Sequence, residues 1–148
     1  MPEPKLCLGT PAEEGKLTAP LQSIEELAKL ADYVLVEADG AKGLPLKAHL
    51  EHEPVIPACA GQTICVVGLS GLGKPIGAAA HRPEQYGKLC GAAAWDIVTP
   101  ARAAQVLNKE DLADMYVLNQ ADDEEERKWA TTLGALLEKP WEVTCLKG

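Results

Sequence analysis

The chain has 148 residues, 47% of them apolar, and a net charge of −8. That is the length of one domain, and with three Trp, three Tyr and no Phe its core must be filled by Leu, Val, Ala and Ile. The acidic balance repels phosphate backbones and anionic membranes, which argues against nucleic acid or a membrane as main partner. A local basic pocket for one small anion stays compatible with it.

Residues 1–20 carry four of the eleven prolines and read as a loose lead-in, with at most a short strand at Lys5–Leu8. Ser23-Ile24-Glu25-Glu26 matches a capping box, and the apolar spacing after it predicts a helix to about Leu30. Tyr33–Val36 is an apolar run ending in Glu37-Ala38-Asp39-Gly40, which predicts a buried strand tipped by acids. A loop holding Pro45, Pro54 and Pro57 is expected from Gly40 to about Gln62.

Thr63–Val67 predicts a second buried strand, Gly68–Gly77 a Gly-rich turn, and Glu84 to Ala93 a helix. Thr99-Pro100 is a helix start, with Ala103, Val106 and Leu107 as its apolar face. Met115–Leu118 predicts a third strand. Asp122 or Asp123 caps a helix with face Trp129, Leu133, Leu136 and Leu137, and Trp141–Leu146 predicts a last strand. Strands separated by helices imply a single α/β domain over 1–148, a largely parallel sheet with helices on both faces.

The five cysteines are odd in number and contain no C-x-x-C pair, so they read as small hydrophobes in a reducing compartment. With no signal peptide and no long apolar run, the expected location is the cytoplasm.

Several constellations carry candidate chemistry. An apolar strand ending in Glu37 and Asp39 is how Walker-B-type strands offer a carboxylate to magnesium; the plain alternative is a strand end and an Asp-Gly turn. Lys42 and Lys47 follow, then His49, Glu51, His52 and Glu53, a mixture suited to an anionic ligand or to a solvated loop. His49-x-x-His52 resembles a metal pair, but no helix fixes its spacing and no thiolate is near. Gly68–Lys74 fits G-x-x-x-x-G-K, yet Pro75 stands where a phosphate loop needs Ser or Thr. His81-Arg82-Pro83 opens a helix, and Arg82 is suited to grip a carboxylate or phosphate. Asn119-Gln120-Ala121-Asp122 approximates the N-K-x-D base-reading motif, with Asp122 as a simple helix cap the alternative.

Together VEADGAKGLPLKAHLEHEPVIP, VVGLSGLGKPI, HRPE and VLNQAD resemble one family over about residues 30 to 122. It is the YqeC-type family of selenium-dependent hydroxylase accessory proteins, also described as selenium cofactor biosynthesis proteins. The resemblance implies a P-loop-NTPase-like domain and a role in maturing selenium-dependent molybdenum hydroxylases. It makes Glu37, Asp39 and His52 candidate catalytic residues, with Asp39 a magnesium ligand. Gly40, Lys42, Lys47, Glu53, His81, Arg82, Asn119 and Asp122 become candidates for binding a nucleoside triphosphate or other small anionic ligand.

Members of that family begin with a G-x-G-G-K-T phosphate loop on a first strand, which would lie upstream of Met1. GTPAEEGK at 9–16 lacks the preceding apolar strand and is not a substitute. The fold is therefore expected to be incomplete at the N-terminus, with apolar strand edges that favour a homodimer. Three functions stay open. One is an accessory protein binding a nucleotide or anionic cofactor precursor and working with the hydroxylase or its maturation machinery. The second is a nucleotide-dependent kinase, transferase or NTPase whose phosphate loop lies outside this stretch. The third is a non-catalytic interaction domain.

Overall fold

In the computed structural model, which describes residues 5–145, the lead-in forms a small hairpin. Thr10–Pro11 (β1) pairs antiparallel with Leu17–Thr18 (β2) around a 3-10 turn at Glu13–Gly15. The pairing falls after Lys5–Leu8, where the sequence had placed a strand. The reversal is set by Glu14 and Gly15, both at positive φ (59° and 70°).

The capping box forms as expected. Glu26 N–H donates to Ser23 Oγ (3.2 Å) and Ser23 N–H donates to Glu26 Oε2 (2.9 Å), starting a helix over Ile24–Leu27 (α1). Tyr33–Val36 departs from expectation: it is not a strand, and Tyr33 and Leu35 are 90% and 94% exposed. A strand exists only where a neighbour takes its backbone hydrogen bonds, and no strand among the described residues pairs with this run.

The chain divides into two compact units, Met1–Val36 and Glu37–Gly148. In the second, the elements are Leu46–Lys47 (β3), Ile64–Gly68 (β4), Ile76–Ala79 (α2), Ala80–His81 (β5), Pro83–Cys90 (α3), Pro100–Glu110 (α4), Met115–Asn119 (β6), Glu124–Gly134 (α5) and Trp141–Val143 (β7). The last strand covers the start of the expected Trp141–Leu146; Leu146 lies outside the described residues. The sheet is parallel, in the order β4-β6-β7, with Cys65 opposite Tyr116 and Val67 opposite Leu118.

That order advances in one direction. Right-handed crossovers therefore place the connecting helices on one face of the sheet. Val67, Tyr116 and Leu118 on that face join Ile76, Tyr86, Val106 and Leu133 from the four helices in one buried cluster. On the opposite face Ile64 and Val66 are 48% and 61% exposed, and neither Met115 nor Val117 is buried. The expected parallel α/β arrangement is present, but the buried helix residues of this unit line one face of the sheet rather than both.

Helix ends follow local chemistry. Thr99 Oγ1 accepts from Arg102 N–H (3.2 Å) and Pro100 opens α4. Of the two acids offered as caps for α5, Asp123 takes the role, in a capping box with Glu126. Helix α5 stops at Gly134, whose Cα lies against the Trp141 ring where any side chain would clash. Leu136, expected on its apolar face, falls past that end and is 46% exposed.

Truncating Leu118, fully buried between sheet and helices, to Ala should lower unfolding free energy by about 2–5 kcal/mol in urea melts. Asp123→Ala, which removes only a cap, should cost about 1 kcal/mol.

Candidate functional site

The loop from Glu37 to Pro57 is less irregular than its prolines suggest. Its two residues of strand β3 pair in parallel with β5, setting Leu46 beside Ala80 and Lys47 beside His81. Leu46 and Ala48 are buried (6% and 0% exposed). Strand alternation then turns Lys47 and His49 together to the other side. Two further bonds fix the segment: Gly68 N–H donates to Pro45 O (2.9 Å) and Ala48 N–H to His81 O (3.1 Å). Gly68 is required at that approach, because a Cβ would stand 2.7 Å from Pro45 Cβ.

Lys47 is the hub. Its Nζ donates to Asp39 Oδ1 (2.5 Å) and Gly40 O (3.0 Å) and forms an ion pair with Glu53 Oε2 at 3.2 Å. Its side chain is only 7% exposed. Glu53 is also gripped in a two-pronged contact by Arg82, through Nε on Oε2 (3.2 Å) and Nη2 on Oε1. His49 sits between two acids, Nε2 3.0 Å from Asp39 Oδ2 and Nδ1 2.9 Å from Glu110 Oε2. The His49 backbone N–H also donates to Glu110 Oε1 (2.7 Å).

The field follows from this wiring. The Arg82 guanidinium, helped by Lys47 and opposed by burial, holds the Glu53 carboxyl down at about 2. Burial first, then the charges of Arg82, Lys47 and Lys42, hold His81 below the ordinary imidazole range, and its buried Nδ1 has no hydrogen-bond partner in the protein. The Cys65 thiol is pushed up to about 11 by burial, Glu110 and Asp39, so it is an inert core group. Lys42 and Arg82 both have positive φ (52° and 63°), a backbone state that non-glycine residues adopt at a cost and that concentrates at functional sites.

The fold thus brings Asp39, Gly40, Lys47, Glu53 and Arg82 together, with His81 alongside Lys47. Glu37, Lys42 and His52 are exposed. His52 does not join His49; its Nε2 is 3.9 Å from Glu53 Oε1. Asn119 and Asp122 make a separate corner at the carboxyl end of β6. There Asn119 Oδ1 accepts from Thr144 Oγ1 (2.9 Å), and Asp122 Oδ1 lies 3.2 Å from Cys145 Sγ. Between them Gln120, at φ 67°, accepts from Ser70 Oγ (2.6 Å).

Magnesium does not fit Asp39 in this arrangement. One carboxylate oxygen is taken by Lys47 and the other by His49, and among the described residues no three His, Cys, Asp or Glu side chains stand in metal-holding geometry. Gly68–Lys74 is not a phosphate cradle either. Leu69 and Leu72 are buried in the core, and Gly68, Leu72 and Gly73 donate their amides to Pro45 O, Leu69 O and Val98 O. A shallow cavity of about 400 Å³ beside α4, lined by Ala104, Gln105, Asn108 and Leu136, lies outside the ionic cluster and holds no paired charges.

Glu110 was not legible as a site residue. Its only sequence signal is an acid at the last position of a helix, where the dipole disfavours it by about 0.3–1 kcal/mol. It lies 61 positions along the chain from His49, which hides the pairing.

A family model described as "YqeC protein" matches residues 2–84, more than half of the chain. The chain belongs to the YqeC family. Within that match lie Asp39, Lys47, His49, Glu53 and Arg82, while Glu110 and the Asn119 corner lie beyond it. The chain is 43% identical over 61 residues to "Uncharacterized protein YqeC" of Escherichia coli (strain K12). That alignment covers 40% of this chain and 24% of the relative, so the chain spans about a quarter of the relative's length. No solved structure matches.

Glu53 makes the site acid-sensitive. Its carboxyl is depressed from 4.5 to about 2, so the stability it contributes is full above 4.5 and is lost as pH falls through about 2. Urea midpoints measured across that window should fall in the wild type and fall less in Glu53→Gln.

Proposed function

We propose that this YqeC-family chain is part of a cytoplasmic accessory protein in the maturation of selenium-dependent molybdenum hydroxylases. In this reading, the surface framed by Asp39, Lys47, Glu53 and Arg82 binds a nucleotide or another anionic cofactor precursor. The observation that carries it is geometric: Lys47 in register with His81, and Lys47 and Arg82 meeting on Glu53, gather cations in an otherwise acidic protein. Lys47 is fully committed to its acids, so it supports the frame. The ligand's charge meets exposed Lys42 and the N–H groups of Arg82 that Glu53 leaves unused. Magnesium enters this proposal only as a counter-ion carried by the ligand. Partner recognition by the hydroxylase or its maturation machinery belongs to the same proposal. No helix among the described residues is long and apolar enough to cross a membrane.

A kinase, transferase or NTPase reading needs a phosphate cradle from outside residues 5–145, because the amides at Gly68, Leu72 and Gly73 are already bonded. The half-exposed Ile64 and Val66 on β4 favour association with a second copy. A monodisperse monomer in sedimentation runs would overturn that part.

Calorimetric titration with GTP, ATP and CTP, with and without magnesium, tests the ligand. Binding is expected, and Arg82→Leu should weaken it about tenfold or more, as expected for loss of a charged two-pronged contact. Heatless titrations with all three nucleotides would remove the nucleotide reading for this chain, and an unchanged affinity in Arg82→Leu would remove Arg82 from the site.

A further inference from the structure

We infer that Glu110 is a positioning residue for the anion site, acting on Asp39 through His49. The ligand arm of this inference rests on the function proposed above; the structural arm does not.

The geometry is a chain of three side chains. Glu110 receives His49 twice, Oε1 from the backbone N–H (2.7 Å) and Oε2 facing Nδ1 (2.9 Å). The far nitrogen, Nε2, is 3.0 Å from Asp39 Oδ2, and the other Asp39 oxygen is on Lys47. All are well shielded, with side-chain exposures of 9% for Glu110, 16% for His49 and 19% for Asp39. Two contacts from one carboxylate, one to the backbone and one to the ring, leave the imidazole no freedom to turn. A fixed ring then fixes which way Asp39 points.

A second, independent observation is where Glu110 sits. It is the last residue of α4, with Asp111 as C-cap, so two acids occupy a helix end that favours cations. Asp111 has Lys139 at 3.2 Å. The partner of Glu110 is His49, so the acid placed against the helix dipole is retained by its contact with the loop. Helix α4 belongs to the core through Ala103 and Val106. Glu110 therefore ties the ligand loop to a helix packed into the core.

The test uses Glu110→Gln, which keeps the side-chain shape and one carbonyl oxygen. Asp111→Asn is the control, because it makes the same charge change at the same helix end. In the wild type, the two ring 15N resonances of His49 are assigned by their absence from His49→Phe. Glu110→Gln should shift both Nδ1 and the Asp39-facing Nε2, and Asp111→Asn should leave both in place. Affinity for the nucleotide that binds best should fall about tenfold in Glu110→Gln and stay within twofold in Asp111→Asn. An unshifted Asp39-facing resonance in Glu110→Gln would overturn the inference, as would equal affinity losses in the two variants. If no nucleotide binds the wild type, the proposed function fails, and shifts of both ring nitrogens in Glu110→Gln, absent from Asp111→Asn, still support the positioning role.

Discussion

Everything in the second unit that concerns the site depends on where one ammonium group is held. Lys47 Nζ sits between Asp39, the Gly40 carbonyl and Glu53 with almost no exposure to water. A buried cation is costly unless it is paired and hydrogen-bonded, and here two hydrogen bonds and two carboxylates surround it. Satisfying it draws in residues on both sides, from Asp39 to Glu53, and so closes the loop on itself. Arg82 then completes Glu53, and His49 completes Asp39.

The network links backbone pairing to charge. Lys47 is in register with His81, and β5 leads directly into α3 through Arg82. Pro45 accepts from Gly68, so the loop is joined to the carboxyl end of β4 by the residue just before the strand that carries Lys47. Glu110 brings the end of α4 to the opposite side of the cluster. One short pairing thereby connects three elements of the core to a polar surface. Removing either partner of such a shielded pair leaves the other charge uncompensated, which costs more than the pair contributes.

Membership of the YqeC family agrees with this division of the chain. The family match covers the loop and Arg82 and ends at residue 84, just inside α3. The segment with the most concentrated chemistry is thus the segment the family shares. The helices and strands after it supply the packed support, including the Glu110 contact that lies outside the matched residues.

The sequence by itself determined the elements whose signals are local. Ser23, Thr99 and Asp123 each start a helix because a short side chain can reach an amide three residues on. The apolar runs at 64–68 and 115–119 became strands because each found a parallel neighbour. The charged mixture in the loop was legible from composition as suited either to an anionic ligand or to a solvated loop, and the family resemblance pointed to the former. Tertiary structure decided the rest. Tyr33–Val36 has a strand's composition but no pairing neighbour among the described residues, and pairing is not a property of one segment. Asp39, the expected metal ligand, meets Lys47 and His49, and Glu53 meets Lys47 and Arg82. Glu110 joins them from far along the chain, because ion pairs depend on distances that only the folded chain sets.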